Sequence, residues 1–533
     1  MMKKFLLAAV AVVAGLPAAA QDTYESARLL GEDLNGTARY VGMGGAMEAL
    51  GADISTISSN PAGIGLLRHS QASLSFGFVS QQDATKFDNL NKTNMSFDQI
   101  GFVYTNRTSS SSFINFGFNY HKSRNFDQIL SAANRLSGTS LNAQTYKKDE
   151  AGSIAHGGYY LDFNNKDVLI GYESAKSDYQ AQTYSQLDYI NANALLLDAD
   201  YKSLRDKGEP YLYDIAADEF SFDRAHRGWI SNFDFNISGN ANDRFYWGVT
   251  VGLKDVNYKG YSEYSEGFVE SSGNDAGYAN YGDDRRIKGT GFDITAGVIF
   301  RPVEESPFRV GLSVATPTWY DLTSENTSAI ANYCKYGAED EWSSSEAYKF
   351  KYFTPWKFGL SLGHTVGTNI ALGASYQYSD YAASKNRIND GYDYYGEAKS
   401  FTDEPMKRNT ESSLQGVHTL KVGAEFKPIP ELAVRLGYNY VSAAYQDKGV
   451  RDMTLDSPGV MYASTADYTN WKGTNRITCG LGFKVDKMNI DLAYQYSATN
   501  GDFYPMSSYA GAVGSTDVSN KRHQVLLTLG YTF

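Results

Sequence analysis

The chain of 533 residues is poor in cysteine, proline and histidine, with 2, 12 and 7 copies. Cys334, in a loop-like stretch, and Cys479, on the apolar side of a strand-like one, supply neither a disulfide framework nor a thiolate metal cluster. The histidines show no His-Glu-x-x-His spacing, and no Gly-x-Ser-x-Gly elbow occurs, so zinc-hydrolase and lipase chemistry have no support. Gly42-Met43-Gly44-Gly45 follows no strand and is closed by no Lys-Ser/Thr pair, which excludes a phosphate cradle. No cofactor, no metal and no enzymatic activity are therefore expected. Positive charge is also short: the net charge of −12 argues against a nucleic-acid partner. Long apolar runs are missing past residue 20, so no later stretch can cross a bilayer as a helix of about 20 residues.

What is present is glycine (50), tyrosine (41) and a 14% aromatic content, at a mean hydropathy of −0.41. The last stretch shows how these are used. From Val525 to Phe533 the odd positions are apolar or aromatic, whereas Gln524, Thr528, Gly530 and Thr532 are polar or small, with Leu526 the exception. A strand sends successive side chains to opposite faces, so this segment has one face for lipid and one for a polar interior. Its aromatic end, Tyr531 and Phe533, resembles the C-terminal assembly signal of Gram-negative outer-membrane barrels. At the other end, Lys3 and Lys4, the apolar run Phe5 to Leu16 and Ala18-Ala19-Ala20 read as a secretory signal peptide over 1–20, with the mature chain starting near Gln21.

The same period-two pattern recurs, and an all-β fold follows: a transmembrane antiparallel barrel of about fourteen strands over 71–533. The strands are centred on Ser73–Val79, Ile100–Tyr104, Ile114–Tyr120, Phe233–Ile237, Phe245–Leu253, Phe292–Phe300, Phe308–Val314, Trp356–Leu362, Ile370–Tyr378, His418–Phe426, Leu432–Tyr440, Ile477–Val485, Ile490–Tyr496 and the terminal segment. Short links near Asn106–Ser111, Asn240–Asp243, Pro302–Ser306, Thr365–Thr368, Pro428–Pro430 and Asp486–Lys487 each join an even-numbered strand to the next odd one. That parity puts the short links, and both chain termini, on the periplasmic side. Tyr159–Phe163 and Val168–Tyr172 also look like a hairpin, which would make sixteen strands.

Residues 21–70 do not read as barrel. A short helix is expected over Tyr24 to Leu34, then a small-residue run including Gly42, Gly44 and Gly45, then the turn Asn60-Pro61-Ala62-Gly63. Such a segment can sit in the lumen as a plug. The run from Arg39 to Gly65, above all Asn60-Pro61-Ala62-Gly63, resembles the N-terminal hatch of the FadL/TodX family of outer-membrane transport proteins, with a weaker echo at His418–Phe426 and Glu431–Tyr440. The resemblance implies a monomeric, hatch-gated barrel moving hydrophobic small molecules passively, with long-chain fatty acids as leading substrate. Partners would be that substrate, outer-membrane lipid and lipopolysaccharide, and the barrel-assembly machinery during biogenesis. A general porin, a receptor barrel for an aromatic hydrocarbon or haem, and an adhesive barrel are the alternatives. The hatch argues against the first and last, and about fifty residues are few for the plug of an energised receptor.

In the long connection 122–227, Phe126, Ile129, Leu130 and Ala133 recur at helical spacing, as do Leu187, Ile190, Ala194, Leu197, Tyr201 and Leu204. Partly helical extracellular caps are expected, whose apolar residues Phe126, Ile129, Leu130, Leu187, Ile190 and Leu197 either steady the loop or collect substrate at the surface. The acidic, Ser- and Tyr-rich stretches 258–284, 325–345, 381–411 and 446–471 read as solvated loops. Asp234, Lys254, Asp293, Arg309, Lys357, Lys421, Glu425, Arg435, Lys484 and Asp491 fall on the luminal side of the strands. Buried charges of both signs normally pair. The candidates for holding a substrate carboxylate are Lys254, Arg309, Lys357, Lys421 and Arg435.

Overall fold

The alternating segments pair in sequence order and close on themselves. The computed structural model describes residues 21–150, 158–161, 170–173, 183–198, 200–208, 213–337, 340–392 and 398–533. The expected signal peptide lies outside them. Fourteen strands form the barrel. They are β1 (Gln71–Gln81), β2 (Thr93–Arg107), β3 (Phe113–Asn125), β4 (Ala216–Ala241), β5 (Phe245–Val269), β6 (Asp275–Phe300), β7 (Arg309–Ala315), β8 (Lys357–Val366), β9 (Ile370–Asp380), β10 (Gly416–Ile429), β11 (Leu432–Val441), β12 (Tyr468–Val485), β13 (Met488–Tyr504) and β14 (Thr516–Thr532). Each pairs antiparallel with its neighbours, and β14 returns to β1 in register from Gln71↔Thr532 to Gln81↔Arg522. The hairpin weighed as strands fifteen and sixteen is described at Gly158–Leu161 and Ile170–Glu173, which pair only with each other. The remainder of that stretch lies outside the described residues.

Short links gather at one end of the barrel. Asn242 and Asp243, in a three-residue link, and Asp486, in a two-residue one, hold positive φ there, as tight turns between twisted strands require. Phe533 ends at the same level, its N–H donating to the Ser70 carbonyl at 2.9 Å. Gln21 does not. It packs against Gly459, beside Met406, among the long connections at the opposite end. The expectation that both termini share one end fails for the described chain, because 21–34 runs through the lumen.

Along β5 the outward side chains Phe245, Val249, Val251 and Leu253 are exposed, while Thr250 and Lys254 are buried inward. This exposed run matches the roughly 9–11 residues a tilted strand needs to cross hydrocarbon. Past Leu253 the pairing continues but the phase inverts. Val256, Tyr258, Tyr264 and Phe268 now point inward and are buried, while Asp255 and Lys259 face out. β4 inverts between Phe233 and Ile230, and β6 between Phe292 and Ile287. The register places these changes side by side, Phe233↔Leu253↔Phe292 below and Ile230↔Val256 above. The stretches read as solvated loops at 258–284 and 325–345 are therefore largely strand, and much of 446–471 is buried. Their aromatics enclose a second core above the apolar band.

Further segments complete this cap. Trp319–Asn332 and Glu341–Phe353 continue β7 and β8 beyond breaks at Pro317 and Pro355, where a ladder donor is missing. Gln128–Arg135 continues β3 and pairs with β4. The helix expected over Phe126–Ala133 is thus a strand, because the long edge of β4 offers it a partner. Gln186–Asn191 and Tyr201–Lys207 are helical as expected. Phe126, Ile129, Leu130, Leu187, Ile190 and Leu197 are at most 7% exposed. They form cap interior rather than an open capture surface: Leu130, Leu187 and Ile190 hide their apolar area against Phe220, Phe222 and Ile330, Phe126 packs in a cluster with Ile230 and Tyr258, and Ile129 in one with Leu90 and Ala225.

Glu266 is buried in this cap, accepting from Tyr264 Oη (2.8 Å) and Leu141 N (2.9 Å) through one oxygen, while the other has no partner. It lies above the apolar band, and burial pushes its carboxyl up to about 7. A carboxyl raised on folding favours the folded cap at low pH and loses that advantage as pH rises from about 4.5 to about 7. Glu266→Gln is expected to flatten the cap's hydrogen-exchange protection over that pH window. Val249→Arg, in the middle of the apolar band, is expected to cost about 2–4 kcal/mol in urea unfolding from bilayers. Lys259→Glu, above it, is expected to stay within about 0.5 kcal/mol.

Candidate functional site

Inside the barrel, residues 35–67 fill the lower lumen and press backbone against backbone. Thr37 and Asp53 cap short helical turns at Ala38–Gly42 and Ile54–Ile57, and Thr37 Oγ1 donates to Asp53 at 2.8 Å. The wall accommodates this by lacking side chains where the hatch touches. A Cβ on Gly423 would overlap the Met43 carbonyl, and one on Gly373 the Ala46 carbonyl.

The expected hatch residues sit at close contacts, some with the wall and some within the hatch itself. Gly42 lies on Gly480, Gly44 on Tyr438 and Gly45 against Leu34, the last two at positive φ. Asn60 accepts from Ala62 N at 3.2 Å and abuts Gly297; Pro61 abuts Gly248 and Gly63 abuts Gly51. Ala62 is fully buried beside Tyr246 and Ile299.

Charge fastens the hatch further. Glu425 receives Arg435 at 2.6 Å and the hatch residue Arg39 at 3.1 Å, and Arg435 also reaches Asp491 at 2.5 Å. Lys421 pairs with Glu48 at 2.6 Å, and Arg309 donates to the Leu50 carbonyl at 2.9 Å. Lys254 pairs with Asp293 at 3.2 Å and Lys357 with Glu32 at 2.5 Å. Burial raises the Glu32 carboxyl, but Lys357 and Lys254 outweigh it and hold the group well below the usual carboxylate range. All five cations expected to receive substrate are therefore already engaged, four by carboxylates and one by a backbone carbonyl. Among the described residues no cluster of His, Cys, Asp or Glu is arranged to hold a metal ion.

Above the hatch lies a cavity of ≈ 360 Å³. Three arginines that sequence reasoning passed over line it: Arg124, Arg476 and Arg522. None makes an ion pair among the described residues. Arg476 donates to Asn439 at 2.8 Å, Arg124 lies 6.0 Å from the Phe126 ring centre, and the Arg522 guanidinium has no hydrogen-bond partner among the described residues. Arg522 was findable, two positions before Gln524 on the polar face of the terminal strand. Arg124 was not, because a bulge after Lys122 shifts its face.

Beside this cavity the wall is incomplete. The β2–β3 ladder stops at Gln99↔His121, although β2 begins at Thr93 and β3 runs on to Asn125. Exposed Met95, Phe97 and Trp229 flank the gap on the outside. The hatch bridges it from within. Asp33 N donates to the Ser123 carbonyl at 2.8 Å, and Asn125 N to Asp33 Oδ2 at 2.8 Å. Asn35 Nδ2 reaches both Asp98 and the Lys122 carbonyl at 3.0 Å.

The class defined by these features is a closed antiparallel barrel with a plugged lumen and a break in the β2–β3 ladder. No family model matches the chain, and no curated protein matches it. Similar solved structures include the toluene transporter TbuX of Ralstonia pickettii, with TM-score 0.48 and 12% identity over 94% of this chain and 99% of that one. A Pseudomonas aeruginosa FadL homologue has TM-score 0.48 and 11% identity over 98% and 100%. The CymD monoaromatic hydrocarbon channel has TM-score 0.46 and 10% identity over 95% and 98%.

Glu425→Gln is expected to leave Arg39 and Arg435 undercompensated and to weaken hatch attachment by about 3–5 kcal/mol. Faster amide exchange over residues 38–54, with unchanged heat-modifiable mobility of the barrel, is the readout.

Proposed function

We propose that this protein is an outer-membrane barrel through which hydrophobic or amphipathic small molecules, long-chain fatty acids foremost, pass by diffusion past a hatch. The gap between β2 and β3 carries this reading. It lies between an interior cavity, lined there by Asp98, Ser123 and Arg124, and the apolar outer surface at Met95 and Phe97, whereas the hatch occupies the straight path through the lumen. A molecule partitioning into lipid gains by leaving sideways, because its apolar part need not cross water. The cap buries its apolar residues, so entry requires the cap to part rather than offering a ready surface groove.

In this reading the long connections face outward among lipopolysaccharide, and the short turns and Phe533 face the periplasm. The terminal strand with Tyr531 and Phe533 is what the assembly machinery reads, and the barrel works as a monomer. Deleting Gln21–Gly65 is expected to leave an assembled barrel with altered uptake. Labelled oleate entering vesicles faster with the protein than without it supports the proposal. Unchanged oleate flux with free passage of small sugars would establish a porin instead.

A further inference from the structure

We infer that the inner faces of β12, β13 and β14 form a binding wall for a polyhydroxylated head, a neutral sugar or polyol, on the molecule that enters the cavity above the hatch. This deepens the transport reading above on its amphipathic side and rests on it. Arg476, Ser497 and Arg522 lie opposite one another across the three strands. One step up, Thr499 faces Asn520, and one step down, Gln495 faces Gln524. These side chains all line the cavity, and not one is apolar. Strands about 4.8 Å apart thus present a grid of hydroxyl, amide and guanidinium groups at short, regular intervals. On the step above Thr499, Trp471 lies over Gly501 and gives the grid an aromatic edge.

Part of the grid is engaged with itself and with the hatch. Arg476 donates to Asn439 at 2.8 Å, Gln495 Nε2 to Gln524 Oε1 at 3.3 Å, and Gln524 Nε2 to the hatch residue Asn35 at 3.3 Å. What remains is of both kinds. The Arg522 guanidinium and the Ser497 hydroxyl have no hydrogen-bond partner among the described residues, although Ser497 is only 9% exposed. Gln495 Oε1 and Asn520 Oδ1 are buried acceptors without a donor. Buried polar groups left unpaired are costly, so a ligand that pairs them gains. A carboxylate only accepts: it would serve Arg522 and leave the two amide oxygens as they are. An alkyl chain serves neither. A hydroxyl donates and accepts through one atom. A sugar ring does so at several points around its edge, while its C–H face suits the Trp471 indole.

The test titrates the full protein, held in a polyoxyethylene detergent, with dodecyl maltoside, laurate, dodecanol and maltose at matched micelle composition. The first three share a chain length and differ in the head. Dodecyl maltoside is expected to bind at least about tenfold tighter than laurate or dodecanol, the worth of about two added hydrogen bonds. Ser497→Ala with Asn520→Ala removes no side-chain hydrogen bond among the described residues, so the barrel keeps its heat-modifiable mobility. The pair is expected to weaken the maltoside about tenfold and to leave laurate unchanged. Laurate binding as tightly as the maltoside, or a maltoside affinity untouched by the double variant, would overturn the inference. Laurate or dodecanol binding without the maltoside sinks the hydroxyl site and keeps the transport reading. Maltose binding as tightly as the maltoside keeps the hydroxyl site and sinks the amphiphile reading, whereas silence from all four sinks both.

Discussion

Hydrocarbon offers no partner to a backbone N–H or C=O, so a strand in lipid must be paired on both edges. Much in the described residues follows from meeting that demand and from a place between β2 and β3 where it is met differently. β14 closes against β1 along its length, leaving no free edge there. Between the upper parts of β2 and β3 the ladder is absent, and the hatch supplies the missing partners through Asp33 and Asn35. A plug that completes the wall has a different status from one that merely fills a hole: its position and the continuity of the barrel are the same variable.

The lumen shows how tightly the two are joined. Glycines on the inner face, such as Gly373 and Gly423, bring the hatch backbone against the wall, while the Arg39–Glu425–Arg435–Asp491 chain neutralises charge that water would otherwise have to reach. Pairing of this kind costs desolvation and returns it only with good geometry. It therefore fixes where the hatch sits more than it adds to stability. Above it, the arginine-lined cavity is the part of the lumen where cations outrun their carboxylate partners.

Much of the barrel was legible because lipid-facing positions must be apolar at every second residue. Phe245 to Leu253 and Val525 to Phe533 announce themselves, and the alternation of short and long links checked the even count independently, while a further hairpin left sixteen open. The cap was not legible for the opposite reason. Tyr258, Tyr264 and Phe268 keep the period of two but on the other face, and the Ser, Glu and Lys between them look like loop composition. Parity also shows that Lys357 points inward, but not that Glu32, far away in sequence, is waiting for it. Nominating free cations needs the partners, and the partners lie on the hatch.

The inversion of face at Leu253–Val256 and its counterparts on β4 and β6 sets a waterline. Sinking by a single pair of residues would drag Asp255 into oil, and rising by as much would lift Phe233 and Phe292 out of it. The molecule is thus pinned vertically like a hull with a painted draught mark. Asn125 lies opposite Trp229, and Trp229 opposite Asn257, so the break in the β2–β3 ladder rides at that mark. On the proposed route, an amphiphile leaving there would arrive among the headgroups with its chain already pointing down the leaflet.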